Sequence, residues 1–320
     1  MRFTTISTLT LAAALALSAC DDLNTAPSVV TEPEFAKGGG GKGHGKAPDF
    51  LVAYTHKEAN GFLDIYTVTK EGTKEGVRLT NGNGLYSSWN PRWTVDQTRI
   101  IFSSNRAGAE NIFIMNADGS NVEQLTVGGC ADRNPAPSPD GTKIAFQRAC
   151  AGGGIFVMNT DGTNVKQLTF TSSDMYPAWG SNGFFIYFTG FRTYAYGEIW
   201  RMNADGAGQG QYAPCYNGVA CLAPAPVQDG TGRVAYWSSI GGGSIRIIDP
   251  NHNVTNVITN IGTSGTSYPP AWYVDGTKLI FSASVGGEID LYSIDSKTGQ
   301  NLVKLTAVTG ADTGPSLQWW

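Results

Sequence analysis

Histidines, cysteines, arginines and tyrosines are the side chains through which this 320-residue chain could do chemistry. The three histidines, His44, His56 and His252, stand far apart, and neither His-x-x-x-His nor His-Glu-x-x-His occurs. A catalytic zinc site draws ligands from closely spaced pairs, so this spacing argues against a histidine-rich metal centre. A serine hydrolase of the α/β type would need Gly-x-Ser-x-Gly, and a phosphate site a glycine loop opening a helix; neither pattern is found. The expectation is therefore no cofactor, no metal and no assigned catalytic residue. What remains is a set of cations and aromatics: Arg106, Arg133, Arg148, Arg192, Tyr194, Tyr196 and Tyr216, with His56, Lys57 and Glu110 beside them. Tyr and Arg are common anchors of protein interfaces. The competing reading is that these are solvated loop side chains and strand ends, since Arg106, Arg148 and Arg192 recur as a repeat alone would dictate.

The elements that must position them come from six copies of one pattern of roughly 45 residues. The third copy shows it most fully: Asn134-Pro135-Ala136-Pro137-Ser138-Pro139-Asp140-Gly141, then Thr142 to Phe146, Ile155 to Asn159, a turn Thr160-Asp161-Gly162-Thr163-Asn164, and Val165 to Thr169. Equivalent turn residues fall at Asp96, Asp140, Asn182, Asp229 and Asp275, spaced by 44, 42, 47 and 46 residues. The segments between turns are rich in Val, Ile, Phe, Tyr and Thr and punctuated by Asp-Gly, which excludes helical repeats of similar length. Each copy predicts a four-stranded antiparallel blade, and the whole an all-β, six-bladed propeller.

Closure is written into the two ends of the repeat array. After Leu305-Thr306, residues Asp312 to Trp320 begin a new copy and stop at the position equivalent to Asp140; the remainder of that copy starts at Phe50-Leu51-Val52-Ala53-Tyr54. One blade is thus expected from both segments, which removes the strand edges an open array would present. Trp93, Trp179 and Trp272 should wedge between blades, and Phe102, Phe146, Phe188, Tyr236 and Phe281 should mark the core of the second strands. Loops joining blades share a face with loops joining second and third strands, and the candidate cations and tyrosines belong to that face.

Residues 1–19 read as a targeting segment: Arg2, an apolar run from Leu9 to Leu17, and Leu17-Ser18-Ala19-Cys20. The last four resemble a bacterial lipobox, which implies cleavage before Cys20 and lipidation of its thiol; an ordinary secretory signal is the alternative. Residues 20–49, with their Gly38 to Lys46 run, have the composition of a flexible tether, leaving 50–320 for the propeller. In an exported chain the remaining cysteines should be oxidised. Cys130 and Cys150 lie symmetrically about Asp140 and should face each other across a hairpin, and Cys215 and Cys221 flank an Asn-Gly reversal. A cysteine-only zinc site is the alternative. Charged residues make up 15% of the chain and the net charge is −4, so no basic face is expected to neutralise nucleic-acid phosphates.

The Asn-Ala-Asp-Gly turns followed by Gln-Leu-Thr, and Pro-x-Trp followed by Asp-Gly, resemble the WD-repeat-like propeller repeats of the TolB family. The resemblance covers about 270 residues. It implies a six-bladed propeller and a bacterial envelope location, lipid-anchored in this chain, on a membrane the sequence does not specify. Where TolB proteins carry an α/β domain ahead of the propeller, this chain has the Gly-rich tether. The function expected is a noncatalytic, monomeric binding module for an envelope protein or cell-wall glycan, touching the membrane through its lipid alone. The alternative is a carbohydrate-active enzyme such as a polysaccharide lyase, with His56, Tyr and Arg around the central opening.

Overall fold

The computed structural model describes residues 51–70, 72, 76–193, 196–213, 215, 218–259, 268–284, 287–307 and 309–317. Cys20, the tether, Tyr194, Tyr216, Trp319 and Trp320 lie outside them. Six four-stranded antiparallel sheets follow one another. The first is made of β1 (Leu51–Lys57), β2 (Leu63–Thr69) and β3 (Val77–Arg78), with β24 (Asp312–Leu317) as its inner strand. The second is β4 (Ser88–Trp93), β5 (Arg99–Ala107), β6 (Ala109–Asn116) and β7 (Glu123–Gln124). The third is β8 (Ala131–Pro137), β9 (Lys143–Ala149), β10 (Gly154–Asn159) and β11 (Lys166–Gln167). The fourth runs through β12 (Met175–Trp179), β13 (Phe185–Gly190), β14 (Glu198–Asn203) and β15 (Gly210–Ala213). The fifth comprises β16 (Cys221–Pro226), β17 (Val234–Ser238), β18 (Ser244–Ile248) and β19 (Val254–Thr259), and the sixth β20 (Ala271–Trp272), β21 (Lys278–Ser284), β22 (Ile289–Asp295) and β23 (Val303–Lys304).

The two-ended blade is present: Val52 pairs with Leu317, Ala53 with Ser316, and His56 with Asp312. Leu317 is buried with Val52, Tyr54, Val68, Ile280 and Leu291, so closure seals a core shared by the first and sixth blades.

Turn chemistry sets the register, as the sequence predicts. At the first-to-second strand turns the carboxylate oxygen of Asp96, Asp140, Asp229 or Asp275 accepts the backbone N–H two residues on, an Asx turn. The third-to-fourth strand turns add a constraint that the repeat alone does not reveal. Gly162 has φ +83°, and a Cβ there would lie 2.7 Å from the Leu125 carbonyl oxygen of the preceding blade; Gly119 meets Leu79 in the same way at 2.6 Å. These glycines permit both a left-handed backbone and a close approach of neighbouring blades.

The tryptophans are wedges. Trp179, 6% exposed, packs with Ala136, Ala145 and Ile155 of the preceding blade and donates from its ring nitrogen to the Ala136 carbonyl at 3.1 Å. Trp272 repeats this with Ala225 at 2.7 Å. Phe102, Phe146, Phe188, Tyr236 and Phe281 are all buried. Around the axis, the residue before the inner-strand proline adopts positive φ in five blades: Asn90, Asn134, Tyr176, Ala223 and Gly314, between 52° and 58°. The ladder is bulged there because proline has no N–H to give it. The freed N–H groups of Asn90 and Ala223 donate instead to Thr55 and Thr189 hydroxyls of the preceding blade.

Candidate functional site

Inner strands start, and second strands end, on the loop face, and the predicted cations meet carboxylates there. In the first five blades the residue three before the inner-strand proline lies at or beside the start of the strand. In three blades that residue is a buried aspartate: Asp132, Asp174 and Asp312. Arg148 Nε and Nη2 donate to the two Asp132 oxygens at 2.7 and 2.8 Å. Arg192 holds Asp174 in the same two-pronged way at 3.0 and 2.5 Å. His56 Nδ1 lies 2.7 Å from Asp312 Oδ1, and this hydrogen bond raises the imidazole pKa against the opposing effect of burial. Arg133 pairs with Glu110.

Arg106 differs. In the second blade the position of those aspartates is Ser88, and Arg106 donates to the Ser88 and Ser104 hydroxyls at 3.0 and 3.1 Å. Burial desolvates its head and lowers its pKa, and no carboxylate among the described residues is bonded to it. The guanidinium stacks over Tyr86 at 4.9 Å.

A common structural role links these cations. Arg106 lies over Phe102 and Phe113, Arg148 over Phe146 and Phe156, and Arg192 over Phe188 and Trp200, at 4.7 to 5.5 Å. Each caps the aromatic pair that joins the second and third strands of its blade. The recurrence noted in the sequence is thus repeat architecture, and these side chains build a rigid rim. His56 is 6% exposed, and a Cβ on Gly310 would sit 3.1 Å from its Nε2. It is covered, not presented. Both cysteine pairs are disulfide-bonded, Cys130 to Cys150 with Cα atoms 5.4 Å apart and Cys215 to Cys221 with Cα atoms 6.0 Å apart. They fasten the loops at the start of β8 and β16 to this same rim.

Sequence reasoning missed the apolar part of the face. Val127, Leu85 and Phe170 are 84%, 83% and 77% exposed, the highest values of any large hydrophobic side chain among the described residues. All three stand on loops between successive blades. Tyr196, and Ile240 in the fifth blade, add exposed apolar surface from loops between second and third strands of the same face. Val127 and Phe170 each follow a Leu-Thr pair, the one signal that could have found them.

At the opposite mouth of the central channel, beside the Asx turns, a cavity of about 150 Å³ is walled by inner-strand prolines, the three wedge tryptophans and Arg92. No group of three or more metal-ligating side chains is assembled among the described residues.

The sequence matches the TolB beta propeller domain family over residues 42–219, more than half of the chain. The chain belongs to that family. A TolB homolog of Chlorobaculum tepidum is 49% identical over 49 residues, 15% of this chain and 11% of that protein. An uncharacterized peptidase, YuxL of Bacillus subtilis, is 31% identical over 131 residues, 40% of this chain and 18% of its own. In these relatives the match spans about a third of their length or less. The crystal structure of TolB from Acinetobacter baumannii shares the fold of this TolB-like propeller, with a TM-score of 0.72 at 17% identity, covering 84% of this chain and 66% of that one.

Proposed function

We propose that this TolB-like propeller is a noncatalytic module of the bacterial envelope, tethered through a lipid on Cys20, that binds another protein through its loop face. The observation that carries the reading is the coincidence of the three most exposed large apolar side chains among the described residues, Val127, Leu85 and Phe170, with a rim on which Arg148 and Arg192 are held rigid by carboxylates. Scattered exposed hydrophobics are ordinary, whereas several on one face, edged by charged groups, suit a protein partner. Fixing the arginines beforehand lowers the entropy lost on association. The apolar content favours a protein over a cell-wall glycan. The lyase alternative gains no support from His56, whose Nδ1 is held by Asp312 and whose ring is covered by Gly310.

Membership of the TolB family and the lipobox-like Leu17 to Cys20 support the envelope location. Mass spectrometry of the mature N-terminus should find Cys20 first and acylated; an unmodified Cys20 or cleavage elsewhere would remove the anchor from the proposal. The binding reading is tested with a photo-crosslinking residue placed at Phe170 or, as a control, at Phe184 on the turn face, which is 65% exposed. In intact envelopes the Phe170 position should give discrete protein adducts that Phe184 does not. Equal labelling from both faces, or none from Phe170, would reject it.

A further inference from the structure

The residue after the inner-strand proline is Arg92 in the second blade and Ala136, Ala178, Ala225, Ala271 and Ser316 in the other five. All six line the 150 Å³ cavity at the turn-side mouth of the channel. Six strands converge there, so small residues are what the geometry asks for, and five blades comply. The remaining walls are mainly apolar, largely prolines and the faces of Trp93, Trp179 and Trp272, with Thr94, Gln228 and Tyr273 among them. One guanidinium therefore projects among prolines and indoles, a position that packing alone would fill with alanine.

Among the described residues Arg92 has no counter-charge. Its Nη1 donates to the carbonyl of the adjacent Pro91 at 2.8 Å, and it makes no ion pair among the described residues. Arg148, Arg192, Arg78 and Arg233 all have carboxylate partners within 2.8 Å. A guanidinium offers five N–H donors in a planar fork, and the one donation Arg92 makes to the described residues is the Nη1 bond to Pro91. Desolvation by the surrounding walls lowers its pKa to about 10, which leaves it charged at neutral pH. The site bears the cost of a partly desolvated cation with no compensating bond to a carboxylate among the described residues.

We propose that this mouth of the channel is a binding site for a carboxylate carried on an apolar stem, the carboxylate seated on Arg92 and the stem on the proline and tryptophan walls. A planar monoanion matches the fork with two parallel bonds. A phosphate is a poorer fit, because Arg92 is the single cation among the described lining residues. The site lies at the opposite end of the channel from the loop face, so it stands or falls independently of the protein-binding reading. The same chemistry has two sources: a free aryl or aliphatic acid, or the C-terminal carboxylate of a peptide ending in an apolar residue.

The test is calorimetric titration of the full mature chain, and of its Arg92→Met variant, with 4-phenylbutyrate, 4-phenylbutyramide, and a Gly-Phe-Leu tripeptide with a free or an amidated C-terminus. A charge-assisted bond should make at least one acid bind the wild type roughly tenfold or more tighter than its amide. Arg92→Met should erase that preference while the melting temperature stays the same or rises, since a purely structural arginine would lower it when removed. Preference for the phenylbutyrate pair alone identifies a small-molecule site, and for the peptide pair alone a chain-terminus site. Equal binding of acid and amide, unchanged acid binding by Arg92→Met, or no binding of either acid at millimolar concentration would overturn the proposal. The loop-face crosslinks should be unchanged by Arg92→Met.

Discussion

Removing residues 315–320 should cost this propeller a large part of its stability, and the described residues of that segment allow the loss to be worked out. Leu317 is 4% exposed, and burying a leucine is worth about 1.5 to 3 kcal/mol. Ser316 accepts the Trp93 N–H at 3.2 Å and pairs with Ala53, while Leu317 pairs with Val52. Taking about 1 kcal/mol for each of the two ladder pairings and the serine bond adds about 3. The expected loss is about 5 kcal/mol, against a total of about 5 to 15 for ordinary domains. Leu317→Ala separates packing from pairing: about 2 to 5 kcal/mol, with the strand left in place. Urea unfolding followed by tryptophan fluorescence is the assay, at low protein concentration because β1 would be left with an open edge that invites association. A truncated chain with the same midpoint and slope as the intact domain would refute the reasoning, since it would mean that β24 contributes nothing to the seal between the first and sixth blades.

The His56–Asp312 pair makes part of that seal pH-dependent. Because the folded imidazole pKa is raised above its unfolded value of about 6.5, its contribution is complete below about pH 6.5 and is lost as pH rises through the folded value. Urea midpoints between pH 5.5 and 8.5 should therefore decline, and Asp312→Asn should flatten that slope. Cys130→Ser with Cys150→Ser opens a loop with a separation of 20 residues and should cost about 3 kcal/mol by chain entropy, read as a lower melting temperature; an unchanged temperature would deny the staple a role. Gly162→Ala should cost clearly more than Gly108→Ala: both have positive φ, worth about 1 kcal/mol, but an added Cβ meets Leu125 in the first case and nothing within 4 Å in the second. Equal losses would show that the glycine turns do not govern how closely blades approach.

The fold was legible because its determinants are local and repeated. Asp-Gly turns fix the strand lengths, alternation fixes the faces, and a copy split between Phe50 and Asp312 declares the closure. The cation partners were harder to see. Asp132, Asp174 and Asp312 each stand three residues before a repeat proline, yet their pairing with Arg148, Arg192 and His56 depends on strand register, and His56 meets Asp312 across 256 residues. The apolar residues of the face were invisible for a different reason. Loops have no period, and the Leu-Thr pair before Phe170 marks where a blade ends without saying whether the next side chain is buried. Arg92 could have been found by aligning the residue after each proline, but its meaning depends on a cavity that no single repeat contains.

The split blade also has a consequence in time. Synthesis delivers β1 before, and β24 after, the other described strands, so β1 lacks its inner neighbour while the five intervening blades emerge. Long-range pairings of this kind form late, and no intermediate length of nascent chain can complete the ring. If the chain is exported unfolded, as the proposed envelope location allows, the topology itself delays the last, locking step until the chain is through. The seam that seals the finished propeller thus also acts as its clock.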